Sequence, residues 1–158
     1  MNLFIELHQK LIKKLIDGKV DFIIIGGYSV IFHGYKRTTG DVDIWLNPDN
    51  NNKKKLLSVL KDLGFTTDEL NSIDNIDFTK HTAFSLWNEP EKVDFITIIN
   101  LVSYVEASTQ KIIADVDGMQ IPFLHLNHLI LSKINTGRLQ DKADIEKLQE
   151  IEQKRNKK

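Results

Sequence analysis

Asp41 and Asp43 stand two apart in the chain. Residues at that spacing share one face of a β-strand, so the pair presents two carboxylates to one side. Side by side they repel, and burying them is costly unless a cation or hydrogen-bond donors neutralise them. A hard divalent cation such as Mg²⁺ prefers oxygen ligands and often takes one or two carboxylates together with substrate phosphates. A third strand acid would complete a two-ion site. Asp94 is the best candidate, set in Lys92 to Ile99 with Val93, Phe95 and Thr97 on the opposite face. Upstream, the apolar run Ile23-Ile24-Ile25 ends in Gly26-Gly27. Glycines let backbone approach a phosphate closely, and the helix that follows offers free N–H groups at its N-terminus. Each feature alone has an ordinary reading: a solvated strand edge, a surface acid, a plain turn. The combination and its order shift the odds toward a functional site.

Those residues need elements to hold them. Asp21 to Ile25 is a short β-branched run and reads as a buried strand. Tyr28 to Gly34 reads as a helix of about two turns, and Asp41 to Leu46 alternates as a half-buried strand does. Before them, Leu3, Phe4, Leu7, Leu11, Ile12, Leu15 and Ile16 mark an amphipathic helix closed by Asp17-Gly18. After them, Pro48 and the asparagines to Asn52 read as a loop, and Lys53 to Leu63 as a helix closed by Gly64. Thr66 to Thr79 has no clear period. Thr82 to Trp87 and Lys92 to Ile99 read as strands about a turn. Ser103 to Thr109 is helix or loop. Lys111 to Val116 and Met119 to Leu124 form a hairpin about Asp117-Gly118. Leu126 to Asn135 and Leu139 to Gln153 read as two helices, and Lys154 to Lys158 as a charged, frayed tail.

The totals bound the answer. The 158 residues suit a single domain, 1–158, with C-terminal helices from about residue 125 and a disordered basic tail at 154–158. A 41% apolar share supports a real core, and a net charge of -1 gives no bulk pull toward nucleic acid. With no cysteine there is neither disulfide nor thiolate metal site. Neither a signal peptide nor an apolar span of membrane length is evident, so a soluble, cytoplasmic protein is expected.

The stretch Gly-Gly-Tyr-Ser-Val-Ile-Phe-His-Gly-Tyr-Lys-Arg-Thr-Thr-Gly-Asp-Val-Asp-Ile, from Gly26 to Ile44, resembles the DNA polymerase beta-like nucleotidyltransferase superfamily. It looks most like the small bacterial, minimal branch, which includes toxin-type enzymes of abortive-infection toxin–antitoxin systems. The segment Leu129 to Leu148, with Lys133, Gly137, Arg138 and Asp141 to Ile145, looks like the C-terminal helices of that group. The resemblance spans roughly residues 20–150, but its specific motif is Gly26-Gly27, Asp41 with Asp43, and Asp94.

The resemblance implies an α/β (α+β) fold, a small mixed sheet with flanking helices and C-terminal helices. It implies that the glycine turn holds the triphosphate of an NTP, ATP among the candidates, and that Asp41, Asp43 and Asp94 hold two Mg²⁺ ions. NMP would then pass to an acceptor hydroxyl, with Asp94 assisting its deprotonation. The acceptor is left open among tRNA, a protein side chain and a small molecule such as an antibiotic. So is the assembly, a homodimer or a complex with a helical partner protein. The alternative is a catalytically inactive module that keeps the fold for binding. Many relatives carry serine directly after the first glycine. Here Gly27 stands there, and Ser29 is the nearest hydroxyl. Arg37 could reach a phosphate or pair with a site acid, and an exposed loop position is the equal alternative. His33 reads as a helix-end residue, and Tyr28, Trp45 and Trp87 as packing. His125 and His128 lack a third ligand for a metal. Lys133 and Arg138 could face the cleft, though a solvated helix face is the safer reading.

Overall fold

The computed structural model of the protein describes residues 3–157. Thirteen elements follow in order: α1 (Glu6–Asp17), β1 (Phe22–Ile25), α2 (Gly26–Phe32), β2 (Val42–Leu46), α3 (Asn50–Asp62), α4 (Thr67–Asp74), β3 (Ala83–Leu86), β4 (Val93–Ile96), α5 (Tyr104–Gln110), β5 (Ile112–Val116), β6 (Met119–Phe123), α6 (Leu126–Ser132) and α7 (Leu139–Asn156). The strands form one mixed sheet in the order β3-β4-β2-β1-β6-β5. β1 runs antiparallel to β2 and parallel to β6, and β2 runs parallel to β4. This is the small mixed sheet with flanking helices that the family resemblance implies. No helix among the described residues is long and apolar enough to cross a membrane.

Alternation along the central strands divides the core between the two faces of the sheet. Phe22, Ile24, Val42, Ile44 and Leu46 pack with Leu11, Ile12 and Leu15 of α1 and Leu56, Val59 and Leu60 of α3. Ile23 and Trp45 face the other way, against Tyr104 of α5, Leu129 and Ile130 of α6, and Leu148 of α7. Asp43 lies two residues before Trp45, so it points to the α6–α7 side.

Several boundaries differ from the sequence reading, each for a local reason. α2 begins at Gly26, so the glycines are its first turn rather than a loop before it. The asparagines read as loop belong to α3, which begins at Asn50 because the Asp49 carboxylate accepts from the Asn51 N–H. Asn52 is buried and exchanges hydrogen bonds of 2.7 and 2.9 Å with the backbone of Asp21. The unassigned stretch after Thr66 contains α4, opened by a capping box in which Thr66 and Glu69 satisfy each other's backbone N–H. α7 continues to Asn156, through residues expected to fray, because Arg155 donates to the His33 carbonyl at 3.2 Å. The end of the expected tail, Lys158, lies outside the described residues.

Candidate active site

β2 and β4 bring the acids together. In their parallel register Asp43 sits beside Asp94, and Asp41 lies one residue ahead of β2. Burial, and then the charges of Asp94 and Asp41, push the Asp43 carboxyl up to about 7, against the opposing pull of Lys133 and Arg138. On the neighbouring strand β3, Ser85 donates its hydroxyl to Asp94. Lys92 precedes β4 and sets its ammonium 3.6 Å from both Asp41 and Asp94. Glu89, on the turn before it, is pushed up by a hydrogen bond with Asp41.

The glycine turn closes the other side of Asp43. Gly26 has φ +68°, a conformation that disfavours any side chain, and a β-carbon there would overlap the Asp43 carboxylate. A β-carbon on Gly27 would run into Thr39 and the Arg37 guanidinium. Gly26 thus lets α2 start against β2, and Gly27 lets it pack against the Arg37–Thr39 loop. Ser29 is not brought to this opening. It is fully buried within α2, with its hydroxyl unpartnered.

A cleft of about 700 Å³ opens over Gly26, Asp43 and Asp94, between the sheet and the α6–α7 corner. Its far wall is cationic. Lys133 is buried, not solvated, with Nζ 3.1 Å from both Asp141 and Asp144. Arg138 places Nε 2.9 Å from Asp141, and the Thr136 hydroxyl donates to the same carboxylate at 2.7 Å. Burial pushes Asp141 up, but hydrogen bonds from Thr136 and the charge of Lys133 outweigh it and hold the group below its ordinary value. Arg37 lies 3.5 Å from the fully buried Asp144, behind Gly27. Three cations thus meet two carboxylates beside the helix N-terminus, an arrangement with positive charge to spare for a phosphate.

The donor set at the acid end is all oxygen and electrostatically crowded, which fits a hard divalent cation. Asp41, Asp43 and Asp94 are the residues that would hold it. Among the described residues no three acids or histidines already converge as a closed cage; Lys92 stands between two of them. His125 instead caps α6 by accepting from the Asn127 N–H. His33 is buried against the Leu124 carbonyl at 2.7 Å, and burial lowers its pKa, so it serves the helix end as a neutral ring. Tyr28 packs on Phe4, Trp45 on Tyr104 and Trp87 on Phe65.

The sequence reading gave no site role to Lys92, Glu89, Thr136, Asp141 or Asp144, though Asp141 and Asp144 fall in the segment that resembles the family's C-terminal helices. A signal for the last two exists: Asp141, Asp144 and Leu148 are spaced three and four apart and share a helix face. Acids on a face that carries a buried leucine must have partners.

Residues 2–154 match the model of the family described as "Nucleotidyltransferase of unknown function (DUF6036)", and the chain belongs to that family. No curated protein matches its sequence. Among solved structures it is similar to TM1012, a presumed nucleotidyltransferase from Thermotoga maritima, with 17% identity, a TM-score of 0.61 and coverage of 89% of each chain. It is also similar to the lincosamide antibiotic adenylyltransferase LnuA in its lincomycin-bound form. There the identity is 17%, the TM-score 0.56, and the coverage 96% of this chain and 99% of the other. At such identities the likeness shows a shared fold.

Proposed function

From its place in this nucleotidyltransferase family, we propose that the protein transfers NMP from an NTP to a hydroxyl, in a Mg²⁺-dependent reaction. The observation that carries the reading is the in-register pairing of Asp43 with Asp94 beside Gly26, with Asp41 linked to Asp94 through Lys92, at one end of a cleft whose other end is basic. Bound Mg²⁺ would offset the charge of the carboxylates and polarise the phosphate oxygens.

The chain's own residues have separate tasks. Gly26 and Gly27 let the first turn of α2 approach the phosphates, and its N–H groups face them. Lys133 and Arg138 draw the polyphosphate toward the α6–α7 corner. Arg37 supports the turn from behind, through Asp144. The acceptor oxygen attacks the α-phosphorus as the α–β anhydride bond breaks, and pyrophosphate leaves. Asp94 receives the hydroxyl proton and passes it to solvent.

The acceptor is a tRNA, a protein side chain or a small hydroxylated molecule; a toxin–antitoxin role would follow from the first two. LnuA, a structural relative associated with a small antibiotic, makes hydroxylated antibiotics the first acceptors to screen. The reading sets the enzyme in the cytoplasm, where NTPs are available, alone, as a homodimer or with a helical partner. Calorimetric titration of ATP, CTP, GTP and UTP with Mg²⁺ tests it. At least one should bind, and Asp41→Asn with Asp43→Asn should abolish metal-dependent transfer. A folded protein that binds none of the four overturns the proposal.

A further inference from the structure

Resting on the metal-dependent reading above, we propose that Lys92 is a built-in counter-ion that occupies the acid cluster in the metal-free protein and must swing out before a divalent cation can bind. Its ammonium lies 3.6 Å from Asp41 Oδ2 and 3.6 Å from Asp94 Oδ1. One charge thus bridges a carboxylate of β4 and one at the residue leading into the neighbouring β2. Among the described residues, Lys92 is the one basic side chain within ion-pair distance of either acid.

The placement follows from the chain. Lys92 is two residues before Asp94, so both side chains leave the same face of the β4 segment. The Lys92 side chain is 35% exposed, and the turn beyond it is solvent-facing, so the ammonium has water to move into. When it leaves, Asp41 and Asp94 lose their shared partner. A cluster of acids without a cation is a strong attractor for a divalent ion. The lysine therefore lowers affinity for free metal and keeps the empty site from splaying. A cation arriving with an NTP brings phosphate ligands that tip the exchange.

The test measures metal binding without nucleotide. Mn²⁺ is titrated into the full-length protein by electron paramagnetic resonance, for wild type, Lys92→Met, Lys92→Gln, Lys92→Arg and the control Lys61→Met on the exposed side of α3. Both charge-removing variants should bind Mn²⁺ about five- to tenfold more tightly than wild type, the scale of losing two partly exposed ion pairs. Lys92→Arg and Lys61→Met should stay within about twofold of wild type. In EDTA the Met and Gln variants should melt below wild type, and saturating Mg²⁺ should reverse that order. Two charge-removing variants guard against one that fails to fold. Unchanged or weaker Mn²⁺ binding in them, with wild type binding normally, overturns the role of Lys92 and leaves the enzymatic reading standing. No Mn²⁺ binding in wild type or variants overturns both.

Discussion

The Asp43 carboxylate packs against the α-carbon of Gly26, so an acid of β2 and the first residue of α2 share one small space. Gly26→Ala should fail twice, by overlapping Asp43 and by forcing a side chain into φ +68°. The backbone term alone costs about 1–2 kcal/mol. Urea denaturation should show at least that loss. Titration with NTP and Mg²⁺ should show weakened binding, since relief of the overlap displaces either the turn or the acid.

Asp43 also gives the metal-free protein a pH signature. Its folded pKa, about 7, lies above the ordinary 3.8. The folded state therefore holds this proton more tightly than the unfolded state does. That contribution to stability is complete below about pH 4 and is lost as pH rises through 7. Between pH 5 and 8 in EDTA, wild type should lose on the order of a few kcal/mol relative to Asp43→Asn, whose side chain does not titrate. Denaturation curves of the two proteins at both pH values check the sign.

Asp144 is fully buried between Lys133 and Arg37. Removing one partner of such a cluster leaves buried charge uncompensated, so Asp144→Ala should cost about 3–5 kcal/mol. The exposed pair Lys147–Glu150 on the same helix is the comparison. Glu150→Gln should change stability by less than about 1 kcal/mol. Chemical denaturation of both variants separates an ion network that builds the cleft wall from one that decorates the surface.

Arg138 is exposed at the cleft and tied to Asp141, so it can be removed without opening the core. Arg138→Ala should leave the melting temperature near that of wild type. It should weaken NTP binding about tenfold, the loss of one charge-assisted phosphate contact. Calorimetry with the tightest-binding NTP reads the effect.

The sheet and most helices were legible because their cues are local. Ile23 to Ile25, the alternation from Asp41 to Leu46 and the Asp117-Gly118 turn each fix an element from a few residues. Thr66-x-x-Glu69 was just as local a helix start, but the weak period beyond it concealed the signal. Asp43 and Asp94 were readable together because β2 and β4 hold them in register. The basic wall was not, since it depends on how α7 returns to the sheet. No spacing in the sequence sets Arg37 against Asp144, some hundred residues further on, or turns Lys133 from a solvated position into a buried one. The burial of Ser29 was hidden for a related reason: a helix of seven residues shows too little period to say which side is buried.

Crystals soaked with Mn²⁺ and an α,β-methylene NTP offer the most direct measurement of the central claim, because Mn²⁺ scatters anomalously and the bond to be broken is blocked. The account predicts anomalous density among Asp41, Asp43 and Asp94, with the triphosphate over Gly26-Gly27 and toward Lys133 and Arg138. Nucleotide bound elsewhere, or at the cleft with no metal at these acids, would contradict it.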